Sequence, residues 1–392
     1  MNERTKIFVR KKFRQYYHQA TLEVPPELKR REWGFIFFDR AFPTFTMHRH
    51  KSFGSAGEAI SYIKEMVPAH VYYSSALYLY PGARKMIEKE WTGADLIFDL
   101  DADHLRCAKG SYSEMLDLVK SETIKLIDFL RYDFGFEQEM MDVVFSGGRG
   151  YHVHITDPRV KSLGGPERRE IIDYLRGTGF DYDRFLVEKM IPCENARAKK
   201  TLRISADSGW GKKIHNRMID LLEKISEVEE GEALEELIKI DTIEKKEAKK
   251  IIKLAKEKDL KNDVKRGYIG IKGFPKDFWK NLVDGLKMDL EGESDEPVTS
   301  DIKRLIRFPT SLHGGSSLQV RPIGPDQLES FDPLADAVVF GDDPINVEVK
   351  KHFDITIKEY EFSLEEGQTE LPECAAIFLM CRGGGEFCKN KV

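Results

Sequence analysis

The segment Leu96-Ile-Phe-Asp99-Leu-Asp101 constrains the fold more than any other part of this chain. In a β-strand the side-chain period is two, so Asp99 and Asp101 project from one face, about 7 Å apart along the chain, while Leu96, Phe98 and Leu100 fill the other. Two carboxylates aimed at one point repel each other unless a cation lies between them, and hard oxygen ligands in that arrangement suit Mg²⁺ or Mn²⁺. The fold must therefore bury one face of this strand and open the other onto a polar space. An acidic turn that ends a buried strand has the same pattern, and D-x-D alone does not separate the two.

Two other clusters carry complementary chemistry. Asp142-Val-Val-Phe-Ser146-Gly-Gly-Arg149-Gly150-Tyr-His152-Val-His154-Ile155 reads as two β-runs around a Gly-rich turn, a hairpin whose loop can bring backbone N–H groups against an anion. Ser146, Arg149 and His152 add donors, and a guanidinium offers bidentate contact to phosphate. An ordinary Gly-rich hairpin with an exposed arginine would look alike, and since His152 and His154 share one alternation, one of them is expected simply to face solvent. The third cluster runs from Asp295 through Lys303, Arg304 and Arg307 to Ser311, His313 and two glycines. Arg307 and His313 suit a polyphosphate and Asp295 a third metal ligand, while a surface helix followed by a loop accounts for the same residues.

Together the clusters supply what phosphoryl or nucleotidyl transfer requires. Two metal ions roughly 4 Å apart, held by two or three carboxylates, serve the attacking hydroxyl and the leaving pyrophosphate. Basic and hydroxyl groups hold the triphosphate in line, and positioning and electrostatics do most of the rest. No G-x-x-x-x-G-K-[ST] sequence is present, which argues against a P-loop ATPase, and no G-x-S-x-G elbow supports a serine hydrolase.

The remaining sequence sets the organisation. With 41% hydrophobic and 33% charged residues over 392 positions, the chain is globular and long enough for two or three packed units. The first 31 residues hold nine Lys/Arg against three Asp/Glu, and Ile7, Phe8, Phe13, Tyr16 and Tyr17 at near-helical spacing predict a basic amphipathic helix. Segments 33–38 and 70–79 read as strands, 56–66 and 113–131 as helices, the latter with Met115, Leu116, Val119, Thr123, Leu126 and Leu130 on one face. Alternating strand and helix indicate an α+β (mixed α/β) core. From Asp220 to Ile238 stand eight acids and one lysine, and from Lys239 to Arg266 eleven basic residues and six acids. With almost no Gly or Pro, this is a helical insertion whose charge is most simply a solvated face. The expected division is a catalytic core over 1–215, the insertion over 216–290, and the core completed over 291–392.

The net charge of −5 means that any nucleic-acid binding must come from local patches. No run of eighteen apolar residues occurs, and the basic, aromatic N-terminus is not a signal peptide, so no membrane association and a cytoplasmic location are expected. Five cysteines without a C-x-x-C pair form neither a disulfide framework nor a zinc ribbon.

These residues resemble the archaeo-eukaryotic DNA primases, specifically the small catalytic subunit of archaeal type. The likeness lies in Arg31-Glu-Trp-Gly-Phe35, the Asp-Leu-Asp-Ala-Asp-His run at 99–104, Ser-Gly-Gly-Arg-Gly-Tyr-His at 146–152, Arg-Leu-Ile-Arg-Phe-Pro-Thr-Ser-Leu-His at 304–313, and Leu371-Pro-Glu-Cys-Ala-Ala-Ile-Phe. Their order and spacing span nearly the whole chain. The resemblance implies a mixed sheet flanked by helices with a small helical domain inserted. It also implies that Asp99, Asp101 and Asp295 are the catalytic carboxylates holding Mg²⁺ or Mn²⁺, Asp295 being preferred to Asp301 because it lies eighteen residues before His313, the family interval. Ser146, Arg149, His152, Arg307 and His313 fall on positions that grip the nucleotide's phosphates. Arg307 replaces a lysine of some relatives, and Gly148 stands where eukaryotic relatives have a second arginine.

Many relatives carry a zinc knuckle after the D-x-D, but between His104 and Ser113 this chain has only Cys107, so no zinc is expected there. Cys374, Cys381 and Cys388 are read as buried or incidental thiols. The implied activity is a DNA-dependent nucleotidyltransferase starting chains de novo on single-stranded DNA from NTPs or dNTPs, partnered by a large primase subunit in a heterodimer. A stand-alone primase–polymerase of repair and a non-catalytic nucleic-acid-binding subunit are the alternatives. The first differs in lacking a large-subunit partner, the second in having no need of the acids.

Overall fold

The computed structural model describes every residue except 40–41, 45, 105–109, 194–195, 207–208, 241–242, 257, 270–275, 291–298 and 389–392. The chain opens with helix α1 (Glu3–Gln19), then β1 (Trp33–Phe37), β2 (His48–Lys51), α2 (Ala56–Met66), β3 (Pro68–Ser74) and β4 (Ala76–Tyr78). Strands β5 (Trp91–Ala94) and β6 (Leu96–Asp101) precede α3 (Tyr112–Tyr132), and β7 (Met141–Phe145) and β8 (Gly150–Ile155) precede α4 (Gly165–Leu175). Next come α5 (Tyr182–Phe185), the hairpin β9 (Leu186–Cys193) and β10 (Ala196–Ile204), and helices α6 (Gly209–Glu227), α7 (Glu230–Ile238), α8 (Lys245–Lys256), α9 (Lys258–Lys265) and α10 (Lys276–Leu290). The C-terminal part holds β11 (Leu305–Arg307), β12 (Arg321–Ile323), α11 (Pro333–Asp336), β13 (Pro344–Val349), β14 (Phe353–Ile357), β15 (Tyr360–Leu364), β16 (Gly367–Pro372), α12 (Glu373–Cys381) and β17 (Gly385–Phe387). The protein is of mixed α+β class.

These elements form two compact units, Met1–Ile172 with Glu293–Val392, and Asp173–Gly292. The first unit contains two four-stranded sheets, ordered β11-β3-β1-β2 and β12-β7-β8-β6. Every neighbouring pair in both is antiparallel. The last strand to join each sheet therefore comes from beyond residue 300.

Helix α1 is capped by Asn2, whose side chain accepts the Thr5 N–H at 2.8 Å. It buries Val9, Phe13 and Tyr17, steps of four that align side chains along one stripe. Ile7, read above as part of that stripe, is 68% exposed. It lies about 120° around the helix from Phe13, outside the arc that faces the core. Helix α3 starts at a capping box, Ser111 accepting the Glu114 N–H while the Glu114 side chain accepts the Ser111 N–H, and buries Leu116, Val119, Thr123, Leu126 and Leu130 as its periodicity predicts. The apolar face of the first sheet is aromatic: Trp33 lies 5.1 Å from Phe308 and 5.4 Å from Phe53 between ring centroids.

A buried ion pair ties these layers together. The Arg31 guanidinium donates to Asp95 Oδ2 at 2.6 Å, to the Ser74 carbonyl at 2.7 Å and to the Pro26 carbonyl at 2.7 Å. Arg168 donates to the carbonyls of Ala94 and Asp95, both at 2.9 Å. Buried charges of this kind survive only when their donors and acceptors are met. Both arginines clamp the chain just before β6.

In the second unit, Phe180 packs on Phe185 and on Trp210 of α6, with centroids 5.4 and 6.4 Å apart, so chain ahead of the charged stretch belongs to this unit. Helix α6 buries Ile214, Met218, Leu221 and Ile225 and helix α8 buries Ala248, Ile251, Ile252 and Ala255. The lysines of α8 lie outside, on a solvated face. Among the described residues no helix is long and apolar enough to cross a membrane.

Candidate active site

Strand β6 buries Leu96, Phe98 and Leu100 and turns Ile97, Asp99 and Asp101 to a cleft. Its partner β8 pairs Asp99 with His152 and Asp101 with Gly150. A side chain at 150 has no room: an added Cβ would lie 2.0 Å from the Leu100 carbonyl oxygen and 2.9 Å from Asp101 Cα. Gly150→Ala is accordingly expected to lower stability by at least about 2 kcal/mol, read as a drop in denaturation midpoint; a midpoint equal to wild type would mean that β6 and β8 are not in this register.

The loop between β7 and β8 is held on three sides. The Ser146 N–H donates to the Gly150 carbonyl at 2.9 Å, closing the turn, and Gly147 adopts φ +74°, where glycine carries little strain. The Tyr112 hydroxyl donates to the Gly148 carbonyl and the Ser316 hydroxyl to the Gly147 carbonyl. Ser146 Oγ accepts the Gly148 N–H at 3.3 Å. Arg149 leaves this loop toward the acids, with Nη2 on Asp103 Oδ2 and Nε 3.8 Å from Asp101 Oδ1.

Across the cleft, β11 pairs Arg307 with Tyr72 of β3. The Arg307 guanidinium lies 5.0 Å from the Tyr72 ring centroid and 2.7 Å from His70 Nδ1. The turn after β11 folds back through His313 N–H to the Leu318 carbonyl at 2.9 Å and places His313 edge-on to His70 at 4.8 Å. His313 Nδ1 accepts the Gly315 N–H at 3.2 Å, which leaves the ring proton on Nε2. Burial, then Arg307, His70, Arg382 and Arg149, keep the His313 pKa well below the usual histidine range. It is therefore a neutral donor at physiological pH.

Asp99 has the opposite electrostatics. Burial opposes its charge, but His152, with Nε2 3.3 Å from Asp99 Oδ1, and then Arg304 and Arg307 hold its pKa below the ordinary carboxylate range. The carboxylate stays ionised. In all, the cleft encloses about 420 Å³ and brings together Asp99, Asp101, Ser146, Arg149, His152, Arg307 and His313. Arg149, Arg304, Arg307 and Arg382 outnumber its two acids, a balance that favours a polyanion.

Asp295 lies outside the described residues, as does Cys107, and among the described residues no three metal-ligating side chains converge. Asp99 and Asp101 offer hard oxygen donors on one strand face, a set that fits Mg²⁺ or Mn²⁺ and not the N/S tetrahedron of zinc. Cys374, Cys381 and Cys388 are free thiols. His154 does not face solvent, and neither does His152: they are 5% and 7% exposed. Alternation places both on the cleft-side face of β8, where His152 lines the cleft beside Asp99 and His154 is buried beyond its lining residues. Burial first, then His152 and Arg31, push the His154 pKa down to about 3. Ser311 is buried and donates to the Phe308 carbonyl at 2.6 Å, so it shapes the turn. Tyr72, Ser316 and Arg382 line the cleft without having been singled out from sequence; Ser316 lies just past the Gly314-Gly315 pair, whereas Tyr72 and Arg382 sit in no polar motif.

A family model described as DNA primase small subunit matches residues 98–325. Among curated proteins, the chain is 47% identical to the DNA primase small subunit PriS of Methanococcoides burtonii, over 99% of this chain and 100% of that one. It is 44% identical to PriS of Methanocella arvoryzae, over 99% and 100%, and 44% identical to PriS of Methanosarcina barkeri, over 99% and 98%.

Proposed function

This chain belongs to the DNA primase small-subunit family, and from that premise we propose how its cleft performs the reaction. The chain is the catalytic subunit of a DNA primase in DNA replication. In our reading it joins nucleoside triphosphates, ribo- or deoxyribo-, into a primer on a single-stranded DNA template, in the cytoplasm and in complex with a large primase subunit.

One observation carries the reading: an ionised Asp99 and its neighbour Asp101 face one cleft with four arginines and a neutral histidine donor. Asp99 and Asp101, together with Asp295, would hold Mg²⁺ or Mn²⁺. When bound, these cations supply Lewis-acid activation of a 3′-hydroxyl and offset charge on the departing pyrophosphate. His152 keeps Asp99 ionised and oriented. The Ser146–Arg149 loop and Arg307 grip the triphosphate, Arg149 exchanging its contact with Asp103 for phosphate oxygens, and His313 donates from Nε2. Little proton transfer is asked of the chain, whose contribution is alignment and preorganised charge.

The test is primer synthesis by the purified chain on single-stranded DNA with Mg²⁺ or Mn²⁺ and nucleotides, without primer. Labelled oligomers are expected. Their absence, both alone and with the large subunit, would sink the catalytic reading in favour of a binding-only subunit. In the same assay Arg149→Ala and His313→Ala are expected to raise KM for nucleotide at least about tenfold, with a smaller change in kcat. Kinetics equal to wild type would remove both residues from the nucleotide site.

A further inference from the structure

The cleft has a third wall, contributed by the C-terminal segment. Arg382 follows α12 directly, its backbone N–H donating to the Phe378 carbonyl at 3.0 Å. Helix α12 is buried along nearly its whole length, so the position of Arg382 is set by the core and not by a mobile tail. Its guanidinium carbon lies over the Tyr112 ring, 4.4 Å from the centroid, and 5.8 Å from that of Phe378. Tyr112 is in turn fixed by its hydroxyl on the Gly148 carbonyl, so one tyrosine links the glycine loop to this arginine.

Arg382 differs from Arg149 and Arg307 in its partners. Arg149 is engaged with Asp103 and Arg307 with His70, whereas Arg382 has no carboxylate and no side-chain hydrogen bond among the described residues. An aromatic platform restrains a guanidinium while occupying only its face, leaving the five N–H donors of its edge available. A half-buried, restrained and unneutralised guanidinium in a cleft already rich in positive charge is costly unless an anion arrives.

We propose that Arg382 is a phosphate-binding residue for the incoming nucleoside triphosphate, lining the same cleft as Arg149 and Arg307. This rests on the nucleotide reading of the cleft given above. The alternative source of the same chemistry is a phosphodiester of the DNA template, and binding measurements separate the two.

The experiment titrates the full chain and its Arg382→Ala, Arg382→Lys and Arg149→Ala variants with a fluorescent nucleoside triphosphate, and separately with a labelled single-stranded oligonucleotide. Arg382→Ala is expected to weaken triphosphate binding at least about tenfold, with oligonucleotide binding within about twofold and thermal denaturation unchanged. Arg382→Lys, keeping charge but losing the planar fork, should fall between. If Arg382→Ala does not fold, the lysine variant decides by the same criterion. Triphosphate binding unchanged in the Arg382 variants but weakened by Arg149→Ala would overturn the assignment while leaving the cleft's reading intact. Loss of oligonucleotide binding in place of triphosphate binding would overturn it in favour of a template contact. If Arg149→Ala also leaves triphosphate binding unchanged, the nucleotide reading of the cleft fails, and this assignment with it.

Discussion

Asp99→Ala is expected to reduce primer synthesis by at least about a thousandfold, with the protein still folded. Asp99 sits on a strand whose opposite face is fully packed, and its carboxylate is held ionised by His152, Arg304 and Arg307. Nothing else among the described residues can present a second charged oxygen donor beside Asp101 on that face. The loss should lie in kcat. Asp99→Asn keeps the shape and a hydrogen bond toward His152 but removes the charge, so it should be nearly as inactive, which separates electrostatics from packing. Measured by single-turnover primer extension, activity within tenfold of wild type in either variant would remove Asp99 from the machinery.

The second large effect concerns stability. Arg31→Met takes from the buried Asp95 carboxylate its hydrogen-bonded partner, leaving Lys161 Nζ 3.9 Å from Asp95 Oδ1, and is expected to destabilise the fold by about 3–5 kcal/mol. The side chains of Arg31 and Asp95 are 2% and 7% exposed and meet at 2.6 Å; Arg31 also satisfies the Ser74 and Pro26 carbonyls. Because a buried pair replaced by apolar groups can be nearly neutral, Arg31→Met combined with Asp95→Leu should recover a substantial part of the loss. Chemical denaturation of the three variants checks this. A single variant as stable as wild type would show that the pair is dispensable, and a double variant worse than the single would assign the cost to the lost carbonyl contacts.

What was legible in the sequence followed from local rules that the tertiary structure had no reason to break. The pleat alone decides that Asp99 and Asp101 share a face, and the apolar period over 113–131 decides which side α3 buries. Local rules name a face without saying what covers it. Ile7 and His154 show the limit: the spacing of each was read rightly, but whether its arc or face meets the core depends on layers far away in sequence. Arg31 could be quoted as part of a motif, yet only the structure shows it in one buried pair with Asp95. Arg382 and Tyr72 were invisible because their function comes from proximity, a guanidinium delivered by a C-terminal helix and a ring under Arg307, with no spacing rule to announce either.

The late arrival of β11 and β12 also has a consequence for synthesis on the ribosome. Until about 150 further residues have emerged after Ile172, β3 and β7 each lack their outer neighbour, a delay of roughly 8–30 s at ordinary elongation rates. Throughout that interval the nascent chain exposes two unpaired strand edges, the feature through which proteins pair wrongly with one another. The helical segment that separates the two halves thus sets how long the growing chain stays vulnerable.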